Sequence, residues 1–299
     1  MKKAKLAWLV VNHFVHAEKF ETFYSMLIRT GLELGINIEV KTNVDLLVEL
    51  EGPLPPGPRP DFVLFWDKDL NLCRHLEKQG LRVFNSSHAI EVCDSKNLTA
   101  LELAGHGIPQ PRTILAPKTF RPDQYPSLEF LPEVGRRLGF PLVVKESFGS
   151  FGFQVHLAED PERLEAIVRE IGTRPMQFQE FIRSEWNGRP ADVRLHVVGG
   201  KVVASVLRTA KEGDFRANVT NGGKMIPWKA TPEQKKLAVR VCRILRTDFA
   251  GVDLLFGPDG PVLCEVNTNA HFKNLYDATG IDVGRFIMAH LLKKCGLTN

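Results

Sequence analysis

The stretch AGVDLLFGPDGPVLCEVNTNAHF, Ala250 to Phe272, constrains the chain most, because it reads as a β-hairpin that sets like charges side by side. Two apolar runs, Val252 to Phe256 and Pro261 to Glu265, flank Pro258-Asp259-Gly260, which suits a three-residue loop with Gly260 in the left-handed position. With Gly257 facing Pro261, Asp253 falls opposite Glu265, and the two-residue period puts Asn267 on the same face. Opposed carboxylates with Cβ atoms about 5 Å apart repel unless a cation or a shared proton lies between them. A hard divalent ion resolves the conflict. Mg²⁺ takes oxygen ligands, few of them from protein, and completes its shell with water and phosphate oxygens, so Asp253, Glu265 and Asn267 suit a metal and nucleotide platform. The opposite face, Val252, Leu254, Cys264 and Val266, is expected to enter a core.

Such a platform needs groups that hold phosphate. Pro141 to Glu159 reads as strand, glycine-bearing loop and strand, followed by an amphipathic helix from Pro161 with Leu164, Ile167, Val168 and Ile171 inward. Because strands bound the loop, it is neither a P-loop nor a Rossmann turn, each of which opens a helix. The expected element is a flap, Ser147 to Gly152, whose backbone N–H groups, including those of Ser147, Gly149 and Gly152, cover phosphates. Lys145 beside it is a phosphate ligand or a charge that protects a sheet edge. Between two more strands, RTAKEGDFRANVTNGG gathers Arg208, Lys211, Arg216 and Asn218 into a polar loop of the kind a γ-phosphate and a substrate carboxylate require.

Upstream, residues 5–85 alternate short strands with helices, an open α/β layer. Ligands bind beyond the carboxyl ends of such strands, which makes Asn12, His13 and Trp66-Asp67-Lys68 a candidate binding edge. Ser86 to Gly107 is predicted as one capped helix carrying Lys96. Gln177 to Ile182 is predicted as a strand between lobes, with Glu180 toward an adenine edge. Thr231-Pro232-Glu233-Gln234 caps a further helix, and a last one runs from about Asp282 to Lys294.

Composition narrows the partners. At 43% hydrophobic and 25% charged over 299 residues, the chain has material for two or three subdomains. The five cysteines show no C-x-x-C spacing and are expected as free thiols. The net charge of +4 is scattered without basic tracts, which argues against nucleic acid as a partner. No apolar run approaches the roughly 20 residues of a membrane span, and Met1-Lys2-Lys3 leads into a strand rather than a signal sequence, so the expectation is cytoplasmic with no membrane association. A homo-oligomer is left open.

Taken in order, Lys96, Lys145 with its flap, Glu180, KEGDFRAN and AGVD…EVN resemble the ATP-grasp superfamily, specifically the RimK-like glutamate ligases, over roughly residues 85 to 296. The resemblance implies a small N-terminal α/β domain over 1–87 followed by a two-lobed α+β ATP-grasp fold, with a central lobe over 88–175 and a C-terminal lobe over 176–299. ATP would lie between two sheets. It implies that Lys96 and Lys145 meet the nucleotide phosphates, and that Glu180-Phe181 and Asp192 meet the adenosine. Arg216, Ala217 and Asn218 would line the ATP site. Arg208 would approach the transferred phosphate, with Arg216 and Lys211 as further catalytic cations, and Asp253, Glu265 and Asn267 would hold Mg²⁺ or Mn²⁺ as two ions. The implied reaction is phosphorylation of a small-molecule or peptide carboxylate, then capture by an amino acid amine, with ADP released. A non-catalytic nucleotide-binding protein and a small-molecule kinase are the alternatives. After EVN the segment Thr268 to Asn274, with His271, is bulkier and more polar than the small-residue and proline turn usual in the family, and it should border the acceptor.

Overall fold

The computed structural model describes residues 5–15, 17–149, 152–217 and 223–298, with the Lys19 side chain left aside. Three sheets carry the fold. The first is parallel, in the order β2 (Ile36–Thr42), β1 (Lys5–Val11), β3 (Phe62–Phe65) and β4 (Val83–Phe84). Helices α1 (Glu18–Glu33) and α2 (Leu70–Lys78) connect its strands. All four residues of β3 are buried, as expected for a parallel strand covered on both faces.

The predicted helix over Ser86 to Gly107 is two helices, α3 (Ser87–Asp94) and α4 (Lys96–Leu103). Ser95 breaks them: its backbone is extended, and its hydroxyl caps α4 by accepting from Leu98 N–H. Lys96 is therefore in the first turn of a helix rather than in the middle of one. Val92, Cys93, Leu103 and Ile108 join the core beneath the large sheet, while the start of α4 hydrogen-bonds to the central lobe through Lys96 N–H to Ser147 O at 2.9 Å.

The central lobe is a four-stranded antiparallel sheet, β5 (Thr113–Leu115), β8 (Met176–Glu180), β6 (Leu142–Glu146) and β7 (Val155–Ala158), covered by α5 (Leu131–Leu138) and α6 (Pro161–Ile171). Because β8 pairs with β5 and β6, the chain leaves this lobe after Glu180, beyond the expected boundary at 175.

The C-terminal sheet runs β12 (Lys224–Pro227), β11 (Lys201–Thr209), β10 (Arg189–Val198), β13 (Phe249–Gly257) and β14 (Gly260–Asn267), with β9 (Glu185–Trp186) paired to β10. One side of it packs on α7 (Pro232–Ile244), whose Thr231–Gln234 capping box forms as expected. Helix α8 (Lys273–Thr279) and helix α9 (Val283–Lys294) lie on the other side, where Phe272, Ile287 and Leu291 share a core with Leu9, Phe23 and Phe62 of the N-terminal unit. Buried Asn85 reinforces the junction, donating to Phe249 O at 2.9 Å and accepting from Asp248 N–H at 2.7 Å. Among the described residues no helix is long and apolar enough to cross a membrane.

Candidate functional site

The Asp253–Glu265 pairing expected of the hairpin is present, but it is reached by another register. Gly257 pairs with Gly260, so the loop is the two residues Pro258 and Asp259. That register alone would set Asp253 opposite Cys264. A bulge between Asp253 and Leu254 inserts one residue on the partner strand and restores the pairing with Glu265, leaving Gly251 opposite Asn267. The same bulge overturns the expectation for Cys264: Leu263 and Val266 enter the core with Val252 and Leu254, whereas Cys264 lines the cavity beside Glu265.

That cavity, about 540 Å³, opens between the two antiparallel sheets and extends to the carboxyl ends of the N-terminal strands. Asp253, Glu265 and Asn267 line it together with Lys96, Lys145, Arg208, Arg216 and Ala217. Lys145 is on β6, flanked on both sides by β8 and β7, which removes the edge-strand explanation for it. Glu180 and Phe181 also line the cavity, with the Glu180 carboxylate held by Arg112 through its backbone N–H at 2.8 Å and its Nε at 2.7 Å. Arg216 donates to Gly152 O at 2.7 Å, tying the cationic loop to the flap.

Some expectations fail. Lys211 is exposed and does not line the cavity. Ser147 does not offer its N–H to a ligand: it is 1% exposed, its N–H donates to Pro175 O at 2.6 Å, and its hydroxyl lies 2.9 Å from that of Ser95, so it anchors the flap root. Neither Ser147 nor Gly149 lines the cavity; Lys96 Nζ donates to Gly149 O at 3.4 Å. Asn218 lies outside the described residues, as do Ser150 and Phe151 of the flap. His13 is not on the cavity wall, whereas Asn12, Trp66, Asp67, Lys68 and His271 are.

Arg194 is the residue that sequence reasoning missed. From β10 it faces Asp253 across the ladder and donates to it through Nε and Nη2, both at 2.6 Å. Arg208 donates to both oxygens of Asp192 at 2.6 Å and reaches Asp253 at 2.9 Å. Asp192, expected at the adenosine, thus has both oxygens taken by a guanidinium. The two arginines hold the Asp253 carboxyl down at about 2 despite its complete burial. The repulsion inferred from the hairpin is therefore relieved here by arginines rather than by a shared proton. A lone arginine at period two from Asp192 within the apolar run Val193 to Val198 was the available signal.

The donor set fits a hard cation. A carboxylate offers about four lone-pair sites, and Asp253 spends three on guanidinium N–H groups, leaving Oδ1 a further one. Glu265 contacts Lys96 at 3.3 Å through Oε1, and its side chain is 33% exposed. The buried amide nitrogen of Asn267 has no hydrogen-bond partner, so the side-chain amide is free to turn its oxygen toward an ion.

The RimK-like ATP-grasp domain matches residues 93–291, two thirds of the sequence, including Lys96, Lys145, Glu180, Arg208, Asp253, Glu265 and Asn267. The chain belongs to the RimK-like ATP-grasp family. It is 37% identical over 270 residues to beta-citrylglutamate synthase B of Danio rerio, covering 88% of this chain and 62% of that protein. It is 38% identical over 223 residues to human N-acetylaspartylglutamate synthase A, covering 74% of this chain and 55% of that one. The chain thus spans somewhat more than half the length of these relatives. The crystal structure of a RimK domain ATP-grasp protein from Sphaerobacter thermophilus DSM 20745 superposes with a TM-score of 0.73 at 21% identity, covering 96% of this chain and 99% of that one. The ATP-grasp fold is thereby the fold of this chain.

Proposed function

We propose that this chain is an ATP-dependent ligase that activates a small-molecule carboxylate as an acylphosphate and joins it to an amino acid amine, glutamate being the amine the relatives' names point to. The observation that carries the reading is the convergence, in one cleft, of phosphate-binding cations and the oxygen donors Asp253, Glu265 and Asn267. Mg²⁺ held by these donors would neutralise charge between the β- and γ-phosphates. Lys145 fixes the phosphate chain from the central sheet, and Lys96 does so from the first turn of α4, beside Glu265. Arg208 presents a guanidinium, held by Asp192, toward the group in transfer. Arg194 holds the Asp253 carboxylate in its charged form. Burial between sheets excludes the water that would hydrolyse an acylphosphate. A cytoplasmic setting accords with the use of ATP. The test is ADP release by purified protein with Mg-ATP, citrate or N-acetylaspartate, and glutamate, with mass detection of the amide. Release that needs both carboxylate and amine supports the reading; equal release without either overturns it.

A further inference from the structure

Where the cleft meets the N-terminal sheet, it ends in a carboxylate that pairs with no cation among the described residues. Asp67, immediately after β3, is 6% exposed and lines the cavity. It accepts from Lys68 N–H at 2.7 Å and from Asn12 Nδ2 at 3.1 Å, both neutral donors. Among the described residues no lysine, arginine or histidine lies within ion-pair distance of it. The nearby cations are engaged elsewhere: Lys68 pairs with Asp94, and Lys273 with Asp277 at 2.5 Å. Around Asp67 the cavity wall is aromatic, with Phe20, Tyr24, Trp66 and His271. An unpaired buried carboxylate costs several kcal/mol, and burial accordingly raises the Asp67 carboxyl above its usual range. A cationic ligand removes that cost, and aromatic faces favour the same ligand.

Position adds a second constraint. Asn269 donates to Asp67 O at 3.0 Å, and its Oδ1 is buried without a partner. It follows the metal-donor candidate Asn267 by two residues, in the turn just after β14. Asn269 thereby ties Asp67 to the end of the strand that carries the metal-donor candidate.

We propose that Asp67, walled by Phe20, Tyr24 and Trp66, is the specificity-determining residue that receives the incoming amine as an ammonium ion. The proposal rests on the ligase reading and adds which end of the cleft takes the amine. An amine substrate docks its ammonium on this carboxylate, while neutral nucleophiles gain nothing from it.

The test compares wild type, Asp67→Asn and Asp67→Glu with citrate or N-acetylaspartate, using glutamate or hydroxylamine as nucleophile, hydroxylamine being mostly uncharged at pH 7.5. For Asp67→Asn the KM for glutamate should rise at least tenfold, with the KM values for ATP and the carboxylate and the yield of hydroxamate within about twofold of wild type. Asp67→Glu should recover part of the glutamate affinity. Thermal melting of each variant separates misfolding from lost recognition, and glutamate-induced stabilisation, present in wild type and absent in Asp67→Asn, reads binding without turnover. An unchanged glutamate KM, or an equal loss of hydroxamate, overturns the assignment of Asp67 while leaving the ligase reading intact. A raised KM for the carboxylate alone assigns Asp67 to the other substrate and overturns the proposal. Wild type that forms neither amide nor hydroxamate overturns the ligase reading and this inference with it.

Discussion

Asp253→Asn removes one negative charge from a buried group of four that is neutral as it stands: Asp192 and Asp253 against Arg194 and Arg208. The variant keeps shape and most hydrogen-bonding capacity but leaves one guanidinium charge uncompensated. Breaking a buried pair in this way costs about 3–5 kcal/mol. The Arg194 side chain is 18% exposed and can hydrate, which favours the lower end. A loss near 3 kcal/mol should lower Tm by roughly 6–12 °C for a protein of this size. Because the folded-state value is depressed, this contribution is present above about pH 4 and is lost as pH falls from 4 toward 2. Calorimetry without nucleotide or metal at pH 7.5 measures it. A double variant with Arg194→Met restores neutrality and should lose at least about 1 kcal/mol less than the sum of the single changes. If Asp253→Asn melts within about 2 °C of wild type and the pair is additive, the four side chains do not act as one charge-balanced unit.

Glu265→Gln should separate chemistry from stability: its pairing with Lys96 is partly solvated, so stability should change by less than about 1 kcal/mol, while turnover with saturating Mg-ATP falls at least about a hundredfold. His196 is 3% exposed, and burial, aided by Arg194, holds its imidazole down at about 3. Its neutral form therefore supports the fold above about pH 6.5 and loses that contribution as pH falls; melting from pH 7.5 to 4 should show a flatter profile for His196→Leu than for wild type. Gly251→Ala would bring a new Cβ within 2.6 Å of the Ala270 Cβ, which no side-chain rotation relieves. It should cost about 1–3 kcal/mol in denaturant unfolding and lower turnover, because the displaced segment carries Asn269 and His271.

Much of the site was legible because it is local. The Asp253–Glu265–Asn267 face follows from strand period and a turn, both written within some fifteen residues, and the helix caps at Asp160 and Thr231 follow from side chains that satisfy backbone groups three residues away. Lys145 was found for the same reason, as a lysine in an otherwise apolar strand, and Glu180 from a strand with alternating polar positions. Even here a local error was hidden, because a turn one residue tighter than expected and a one-residue bulge cancel at Asp253 and leave their trace only at Cys264.

What the chain alone did not reveal depends on groups brought together from far apart. Arg194 meets Asp253 across 59 residues and Asn269 meets Asp67 across 202, and no periodicity links such pairs. Ser147 read as a flap residue because glycine follows it, yet contacts with Ser95 and Pro175 make it an anchor. Lys211 read as catalytic because charge is visible in sequence whereas burial is not, and it faces solvent. Hydrophobic period and turn chemistry act between neighbours, so the sequence by itself determined the strands, the caps and the acidic hairpin. Charge compensation in a low-dielectric cleft depends on distance in space, so only the tertiary structure decided which cations balance Asp253 and left Asp67 with none among the described residues.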